Sequence, residues 1–244
     1  MNKTFEEDLD KLRTRLIRMG SLVEEQVEFA IRALREGNQE LARIVAERDD
    51  KVDKLDLKID KQCQRIFALN QPVATDLRLL LSAIKINNEL ERIGDMATNI
   101  AQVVITSPGS VGFAEQVGID RMSRAVHTLL KSSIDAFINN DPELAAHILP
   151  TDSTIDNLYS DLQATLIDVM HKDPTRVAEG AHLLICIHDL ERMADHATNI
   201  AENVIFLVRA KLVRHRQFNT EGIDLHEIIR EQDADLASND EENT

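Results

Sequence analysis

Acidic residues recur four positions apart in two similar segments of the chain. Each segment has a glutamate, then an aspartate and then an asparagine at steps of four: Glu91, Asp95 and Asn99, and Glu191, Asp195 and Asn199. On a helix, residues four apart lie on one face, about 5–6 Å from each other. Two carboxylates at that distance repel each other, and a bound cation removes the repulsion. The spacing is therefore typical of a cation site.

A second acidic pair precedes each of these segments. These pairs are Asp49 with Asp53, and Asp152 with Asp156. If the helices that carry the two kinds of pair are neighbours, four carboxylates face one point in each half of the chain. Such a site suits a hard cation such as Mg²⁺, Mn²⁺, Ca²⁺ or iron. We therefore predict two metal sites, with the ligands Asp49, Asp53, Glu91 and Asp95 in the first and Asp152, Asp156, Glu191 and Asp195 in the second.

Other interpretations of these acids remain open. Acidic pairs four apart also occur on the solvated faces of acidic proteins, where they bind nothing. Arg92 and Arg192, each next to a glutamate of the motif, offer a second alternative as structural ion-pair partners. Exposed ion pairs of that kind contribute little to stability.

Two histidines distinguish the second segment from the first. His188 lies three residues before Glu191, on the same helix face, and is either a further ligand or an exposed polar side chain. His196 points roughly 100° away from Asp195 around the helix, so we do not count it as a ligand. The first segment has neither histidine, so the two sites need not hold the same metal.

The acidic segments belong to an internal repeat. Residues 91–101 and 191–201 are identical at eight of eleven positions, and the upstream acids match at an offset of 103. A duplicated unit of three helices explains both matches, and short connections make neighbouring helices antiparallel. We predict an all-α fold of two tandem three-helix bundles, over residues 1–106 and 119–217. The bundles are either related by pseudo-twofold symmetry or laid end to end.

Capping signals divide the chain into six helices. Thr4 begins a capping box, Gly37 offers a left-handed residue that ends the first helix, and Asn38 caps the second. The predicted helices run from Thr4 to Gly37, over about 38–69, 75–105 and 119–138, from Pro142 onward, and from Pro174 to about 216. Pro150 is expected to kink or divide the fifth helix. Residues 106–118, rich in glycine and proline, are expected to form a hinge or a long connection.

The composition excludes several classes of protein. Only 3% of the 244 residues are aromatic, which argues against a β-sandwich or barrel. The net charge of −15 argues against nucleic acid as a partner and against a direct membrane anchor. No signal peptide opens the chain, and Cys63 and Cys186 are expected to be buried and reduced. A cytoplasmic location follows as an expectation.

The last part of the chain is strongly acidic. From Glu221 onward, nine Asp or Glu residues face a single arginine, Arg230. Residues 218–244 are therefore predicted to form a flexible acidic tail. A short amphipathic helix over residues 225–236 is the alternative.

Several segments resemble the PhoU family, and the resemblance covers about residues 4–216. The segment 12–26 is similar to the family's first helix, and 70–79 is similar to its R-Q-P-x-A-x-D-L-R segment, with Asn70 in place of the basic residue. Residues 89–95 and 189–195 resemble the family's hallmark motif. The second copy has Ala194 where the hallmark has glycine. Two hallmarks 100 residues apart make the resemblance specific.

The resemblance implies a cytoplasmic negative regulator of phosphate uptake and of the phosphate-starvation response, not an enzyme. PhoU-like proteins act by protein–protein contacts with the ATPase of the phosphate ABC transporter and with the phosphate-sensing histidine kinase. They carry metal ions or multinuclear iron clusters on their E/D-x-x-x-D pairs, which implies iron, Zn²⁺, Mn²⁺ or Mg²⁺ on the two predicted sites. A homodimer, with membrane contact only through partners, is also implied.

Two other functions remain open at this point. One is a carboxylate-bridged metal enzyme of the di-iron type, or an iron-storage protein, on a helical bundle. Di-iron bundles use two E-x-x-H motifs, whereas the motif here is E-x-x-x-D. The other is a helical adaptor that binds no metal. Ferroxidase assays and metal analysis distinguish the three functions.

Overall fold

The computed structural model describes residues 3–213, in which all regular structure is helical. The helices are α1 (Lys3–Glu36), α2 (Gln39–Asn70), α3 (Ala74–Thr106), α4 (Gly109–Val117), α5 (Asp120–Asn139), α6 (Pro142–Ile148), α7 (Thr151–Lys172) and α8 (Val177–Arg209). A single 3₁₀ turn, Pro174–Arg176, leads into α8. The predicted acidic tail, residues 218–244, lies outside the described residues.

Three of the predicted capping residues begin or end helices where the sequence predicts, whereas Thr4 lies inside α1, which already includes Lys3. Gly37 has a positive φ of 65° between α1 and α2, a conformation that costs glycine little. The side chain of Asn38 accepts a hydrogen bond from the Leu41 amide at the start of α2. Asp141 accepts from two amides at the start of α6, and Pro142 occupies its first turn. Local side-chain chemistry therefore sets these boundaries.

At three places the helix boundaries differ from the prediction or decide between its alternatives. Pro150 divides the predicted fifth helix into α6 and α7. The predicted connection 106–118 contains α4, because its apolar residues can be buried: Phe113 is 1% exposed. The last helix ends at Arg209 and not near 216, since Ala210 adopts the left-handed conformation with a φ of 57°.

The core of each repeat lies between its helices. In the first, α1, α2 and α3 pack against one another, and in the second, α5, α6 and α7 pack on α8. The apolar stripe of α1 is buried along its whole length, from Leu9 to Leu34. Cys63 and Cys186 are buried and free, and burial raises the pKa of each thiol to about 12. Both thiols are therefore inert core residues at neutral pH.

The two repeats pack side by side through α3 and α8. The Asn199 amide of α8 donates to Glu89 of α3. Burial raises the pKa of Asp189 of α8, and the neighbouring side chain of Asn99 of α3 lowers it. These four residues form two equivalent pairs, because Glu89 corresponds to Asp189 and Asn99 to Asn199. The helices are therefore antiparallel and related by a pseudo-twofold axis, and the end-to-end arrangement is excluded. Between residues 3 and 213, no helix is apolar enough over sufficient length to cross a membrane.

Candidate metal centre

The first repeat gathers three carboxylates between α2 and α3. Asp49 and Asp53 of α2 and Asp95 of α3 each offer an oxygen, and these oxygens lie within 4.8 Å of one another. Asp49 and Asp95 are partly buried and Asp53 is exposed. Within residues 3–213, this is the only group of three or more His, Cys, Asp or Glu side chains that meets this distance limit. Oxygens this close suit a hard cation.

Glu91, the fourth predicted ligand of this site, lies beside the group and not in it. Burial raises the pKa of Glu91, and the charges of Asp95, Asp56 and Asp53 raise it further. Glu91 therefore shares the electrostatic field of the group. The structure thus brings three of the four predicted residues together and leaves Glu91 at the edge.

The charges of the first group are not neutralised by the neighbouring arginine. Burial raises the pKa of Asp95, and the charge of Asp49 adds to this effect. Arg92 lies 3.6 Å from Glu91, but its side chain is 63% exposed. Its charge lowers the pKa of both acids, yet each pKa remains above its usual value. The ion-pair interpretation therefore accounts for only part of the acidic charge.

The second repeat places its four acids in a looser arrangement between α7 and α8. Burial raises the pKa of Asp152 to about 6, and the charges of Asp195 and Asp156 contribute. The pKa values of Asp195 and Glu191 are also raised, first by burial and then by neighbouring carboxylates. The acids therefore lie close enough to affect one another's charge. Within the described part of the chain, however, no three of them approach as closely as in the first repeat.

His188 lies at the margin of the second group. Its Nδ1 atom is 3.6 Å from Oε2 of Glu191, and its side chain is 54% exposed. The imidazole ring lies 6.3 Å from the ring of Tyr159 on α7. His188 therefore reaches the glutamate of the motif from the solvent side.

Each group is supported by a threonine that the sequence interpretation did not include. The Thr98 hydroxyl donates to Oδ1 of Asp49 at 3.1 Å, and the Thr198 hydroxyl donates to Oδ1 of Asp152 at 3.3 Å. Each threonine links the third helix of its repeat to the first acid of the preceding pair. The signal was available in the sequence, since the threonine is identical in both copies of the repeated segment.

Gln26 of α1 is a second residue that sequence reasoning missed. Its side chain is completely buried, and its amide lies 3.3 Å from Oδ1 of Asp49 and 3.0 Å from the Thr98 hydroxyl. The same amide approaches the carbonyl oxygens of Val45 and Gly94 at 3.5 and 3.4 Å. Gln26 therefore joins all three helices of the first repeat behind the acidic group. Its own position in the sequence offers no signal for this role, because no charge or spacing marks it.

His196 points into the contact between the repeats. Its Nδ1 atom lies 2.6 Å from Oε2 of Glu89, which comes from α3 of the first repeat. This ring nitrogen therefore faces the first repeat. Glu89 and His196 also line a cavity of about 450 Å³ together with Glu91, Arg92 and two further acids of α2.

The chemistry of both groups is that of oxygen donors that cannot all be charged at low energetic cost. Burial raises the pKa of Asp95 and of Asp152, and repulsion from the neighbouring carboxylates Asp49 and Asp195 raises it further. A cation would offset this repulsion and hold the two helices of each pair at a constant distance. In the first repeat, the three converging carboxylate oxygens fit a metal.

Comparisons with known proteins identify the family. The family model described as the PhoU domain matches residues 16–104 and 119–204, one match in each repeat. The chain is 36% identical over 219 residues to the "Phosphate-specific transport system accessory protein PhoU homolog" of Pseudomonas aeruginosa, which covers 88% of this chain and 89% of that protein.

Solved structures show the same fold. The crystal structure of PhoU from Pseudomonas aeruginosa matches with a TM-score of 0.80 and 36% identity, over 85% of this chain and all of that one. The phosphate transport system regulatory protein PhoU from Streptococcus pneumoniae matches with a TM-score of 0.74 and 27% identity, over 86% of this chain and 99% of that one. The fold predicted from the sequence is thereby confirmed, and the chain belongs to the PhoU family.

Proposed function

We propose that this protein is a negative regulator of phosphate uptake and of the phosphate-starvation response. It acts in the cytoplasm as a homodimer, by contacts with the ATPase subunit of the phosphate transporter and with the phosphate-sensing histidine kinase. The observation that carries the proposal is similarity over most of the chain: 36% identity over 88% of its length to a protein named as an accessory protein of the phosphate-specific transport system. The role is regulatory and not catalytic.

Metal binding is the second part of the proposal. Asp49, Asp53 and Asp95, with Glu91 beside them, would hold a cation in the first repeat, and Asp152, Asp156, Glu191 and Asp195 would hold one in the second. The cation, whether iron, Zn²⁺, Mn²⁺ or Mg²⁺, supplies positive charge that cancels the local repulsion. The raised pKa of the carboxylates and the convergence of three oxygens support this assignment.

Metal binding offers a way to couple the sites to partners. Each cation would connect two long helices, α2 with α3 and α7 with α8. A partner that contacts these helices in one spacing better than in another would then bind differently to the loaded and metal-free proteins. The coupling free energy is the difference between the partner's binding free energies for the loaded and the metal-free protein. Partner binding changes the affinity for metal by the same factor.

The regulatory function is tested by deleting the gene and measuring secreted phosphatase activity in phosphate-rich medium. High activity despite ample phosphate, restored to the repressed level by the wild-type gene on a plasmid, is the expected result. Activity that stays repressed after deletion, in a strain with no second gene of the family, contradicts the proposal.

The metal assignment is tested by elemental analysis of the purified protein. The double variant Asp95→Ala and Asp195→Ala is expected to lose most of its bound metal and to keep its helical circular dichroism. The matched control removes two exposed acids outside the sites, Asp50 and Asp161, in the same way and should keep the metal. Equal metal content in the two double variants would overturn the assignment. Oxygen consumption on addition of Fe(II) would favour the di-iron alternative.

A further inference from the structure

A groove between α1 and α2 concentrates positive charge on this acidic protein. Its volume is about 500 Å³, and it lies on the first repeat. Five cationic side chains and one acidic side chain line it, together with Leu22 and Leu55: Arg18, Arg48, Lys51, Lys54, Lys58 and Glu25. The net charge of the chain is −15, so a cluster of five cations is unusual for the surface of this protein.

Most of this charge is not compensated within the described residues. Arg48 contacts Glu25 at 2.6 Å and lies over the Phe29 ring, and Lys54 contacts Asp50 at 3.4 Å. The other three cations, Arg18, Lys51 and Lys58, form no ion pair with any residue between 3 and 213. Like charges at this density repel, and an anionic ligand would lower their energy.

The acidic counterpart is present in the same chain. Residues 221–244 contain nine Asp or Glu residues and one arginine, and they also contain apolar residues at 223, 225, 228, 229 and 236. The groove offers both elements of a complementary surface, since Leu22 and Leu55 lie among its cations. The acidic and apolar residues of the segment 221–244 therefore complement the cations and leucines of the groove.

The chain leaves the described structure after α8, whose last residue lies beside the start of α6. Arg209, the last residue of α8, contacts Glu143 at the start of α6 at 2.8 Å. Ile138 lies five residues before Glu143, at the end of α5. Its carbonyl accepts a hydrogen bond from Arg13 of α1 at 3.1 Å. Arg13 precedes Arg18 by five residues, or about 7.5 Å along the helix axis. Arg13 and Arg18 are also about 140° apart around the helix, so the contact with Ile138 places the end of α5 beside a different face of α1 from the one that lines the groove.

The remaining length is sufficient to reach the cations. Residues 214–244 make up 31 residues, and an unstructured chain of that length has a root-mean-square end-to-end distance of about 30 Å. A segment tethered at this distance has an effective concentration in the millimolar range. Exposed ion pairs are individually weak, so docking of the segment requires several of them to form at once.

We propose that the acidic segment 221–244 docks into the α1–α2 groove of its own chain. Carboxylates of the segment pair with Lys51, Lys58 and Arg18 and cover the groove. An anionic partner of the groove then has to displace the segment. The contact weakens as ionic strength rises, because at 1 M salt the Debye length falls to about 3 Å.

Carbodiimide cross-linking of the full-length protein tests this proposal. The reagent joins a carboxylate to a lysine amine only where the two are in contact, and peptide mapping identifies the pair. At low salt we expect links from residues 221–244 to Lys51, Lys54 or Lys58, and a several-fold lower yield in 1 M NaCl. An equal mixture of ¹⁵N-labelled and unlabelled protein should give links within one isotopic species.

Three results would overturn the proposal. One is the absence of any link between the segment and the groove. Another is an even spread of links over exposed lysines outside the groove, such as Lys61 and Lys172. The third is mixed-isotope pairs, which would place the segment in a second copy of the chain.

A pair of matched variants tests the role of charge. Changing Lys51→Gln and Lys58→Gln leaves Lys54 as the reporter, and the yield of links to Lys54 should fall several-fold. Lys61→Gln removes an exposed lysine of α2 outside the groove and should leave that yield unchanged. Unchanged links to Lys54 in the double variant, with native helicity by circular dichroism, would contradict the proposal.

Discussion

Nδ1 of His196 in α8 lies 2.6 Å from Oε2 of Glu89 in α3, and this contact joins the two repeats. The Asn199 amide reaches the same oxygen at 3.3 Å. On the other side of the pseudo-twofold axis, burial raises the pKa of Asp189 and the neighbouring side chain of Asn99 lowers it. The duplicated hallmark segments thus serve a second purpose: each carries acids toward its own repeat and polar residues toward the other.

Removing Glu89 is expected to destabilise the protein. Its side chain is 17% exposed, and Glu89→Ala leaves both His196 and Asn199 without their partner. The free energy of unfolding should fall by about 1–3 kcal/mol, the cost of leaving part-buried polar groups unpaired. Urea denaturation at pH 7 measures it. His188→Ala, at a side chain that is 54% exposed, should stay within about 0.5 kcal/mol of the wild type.

The second acidic group should make the metal-free protein more stable at mildly acidic pH. The pKa of Asp152 rises from 3.8 to about 6 on folding, mainly through burial. Between these values the folded state binds more protons than the unfolded state, so stability falls as pH rises and is lowest above pH 6. We therefore expect the unfolding free energy, measured in EDTA, to increase when pH is lowered from 7 to 5.

A substitution isolates the contribution of Asp152 from that of the other acids. Asp152→Asn removes the titrating group and should flatten the rise in stability between pH 7 and 5. Asp161→Asn, at an exposed position of the same helix, should leave the rise unchanged. Identical pH profiles for these two variants would show that Asp152 does not titrate in this range.

Gln26 is expected to position Asp49. Gln26→Leu keeps the approximate volume but removes the amide that lies between Asp49 and Thr98. Stability should fall by about 1 kcal/mol. If the acidic group binds metal, the affinity for Mn²⁺ should fall about 10- to 100-fold, as for other residues that orient ligands. Titration calorimetry measures the affinity, and Gln64→Leu, at an exposed position of α2, serves as the control.

The packing around Gly94 of the first hallmark leaves room for a side chain as small as alanine. A Cβ at this position would lie 3.4 Å from Cγ1 of Val52, an ordinary contact, and the second repeat has Ala194 at the equivalent position. Gly94→Ala should therefore raise stability by about 0.5–1 kcal/mol, through the lower conformational entropy of the unfolded chain. Thermal unfolding followed by circular dichroism measures the change.

A second glycine provides the comparison. A Cβ at Gly20 would lie 3.2 Å from Cγ2 of Ile134, which is tighter than an ordinary contact, so Gly20→Ala should gain less stability or lose it. Equal gains at both positions would show that contact with the neighbouring helix does not decide the outcome.

Much of the fold could be predicted from local signals. Asn38, Asp141 and Gly37 set helix ends by hydrogen bonds and dihedral angles within a few residues, and the structure confirms them. The end of α8 could not be predicted, because nothing in the local pattern distinguishes Ala210 from a helical residue. The burial of Phe113, which allows α4 to form, depends on packing against α8.

The sequence by itself determined which acids share a helix face and that the chain contains the same unit twice. Both properties depend only on the 3.6-residue period of the helix and on the comparison of the chain with itself. Their use as metal ligands remains a proposal.

The tertiary structure decided which of these groups meet. It brought Asp49, Asp53 and Asp95 together, left Glu91 at their edge, and placed Gln26 behind them. It also paired Glu89 with His196 across the repeats. These contacts depend on the register of long helices against each other, where a shift of one residue moves a side chain by about 1.5 Å along the axis and 100° around it. No pattern within a single helix contains that information.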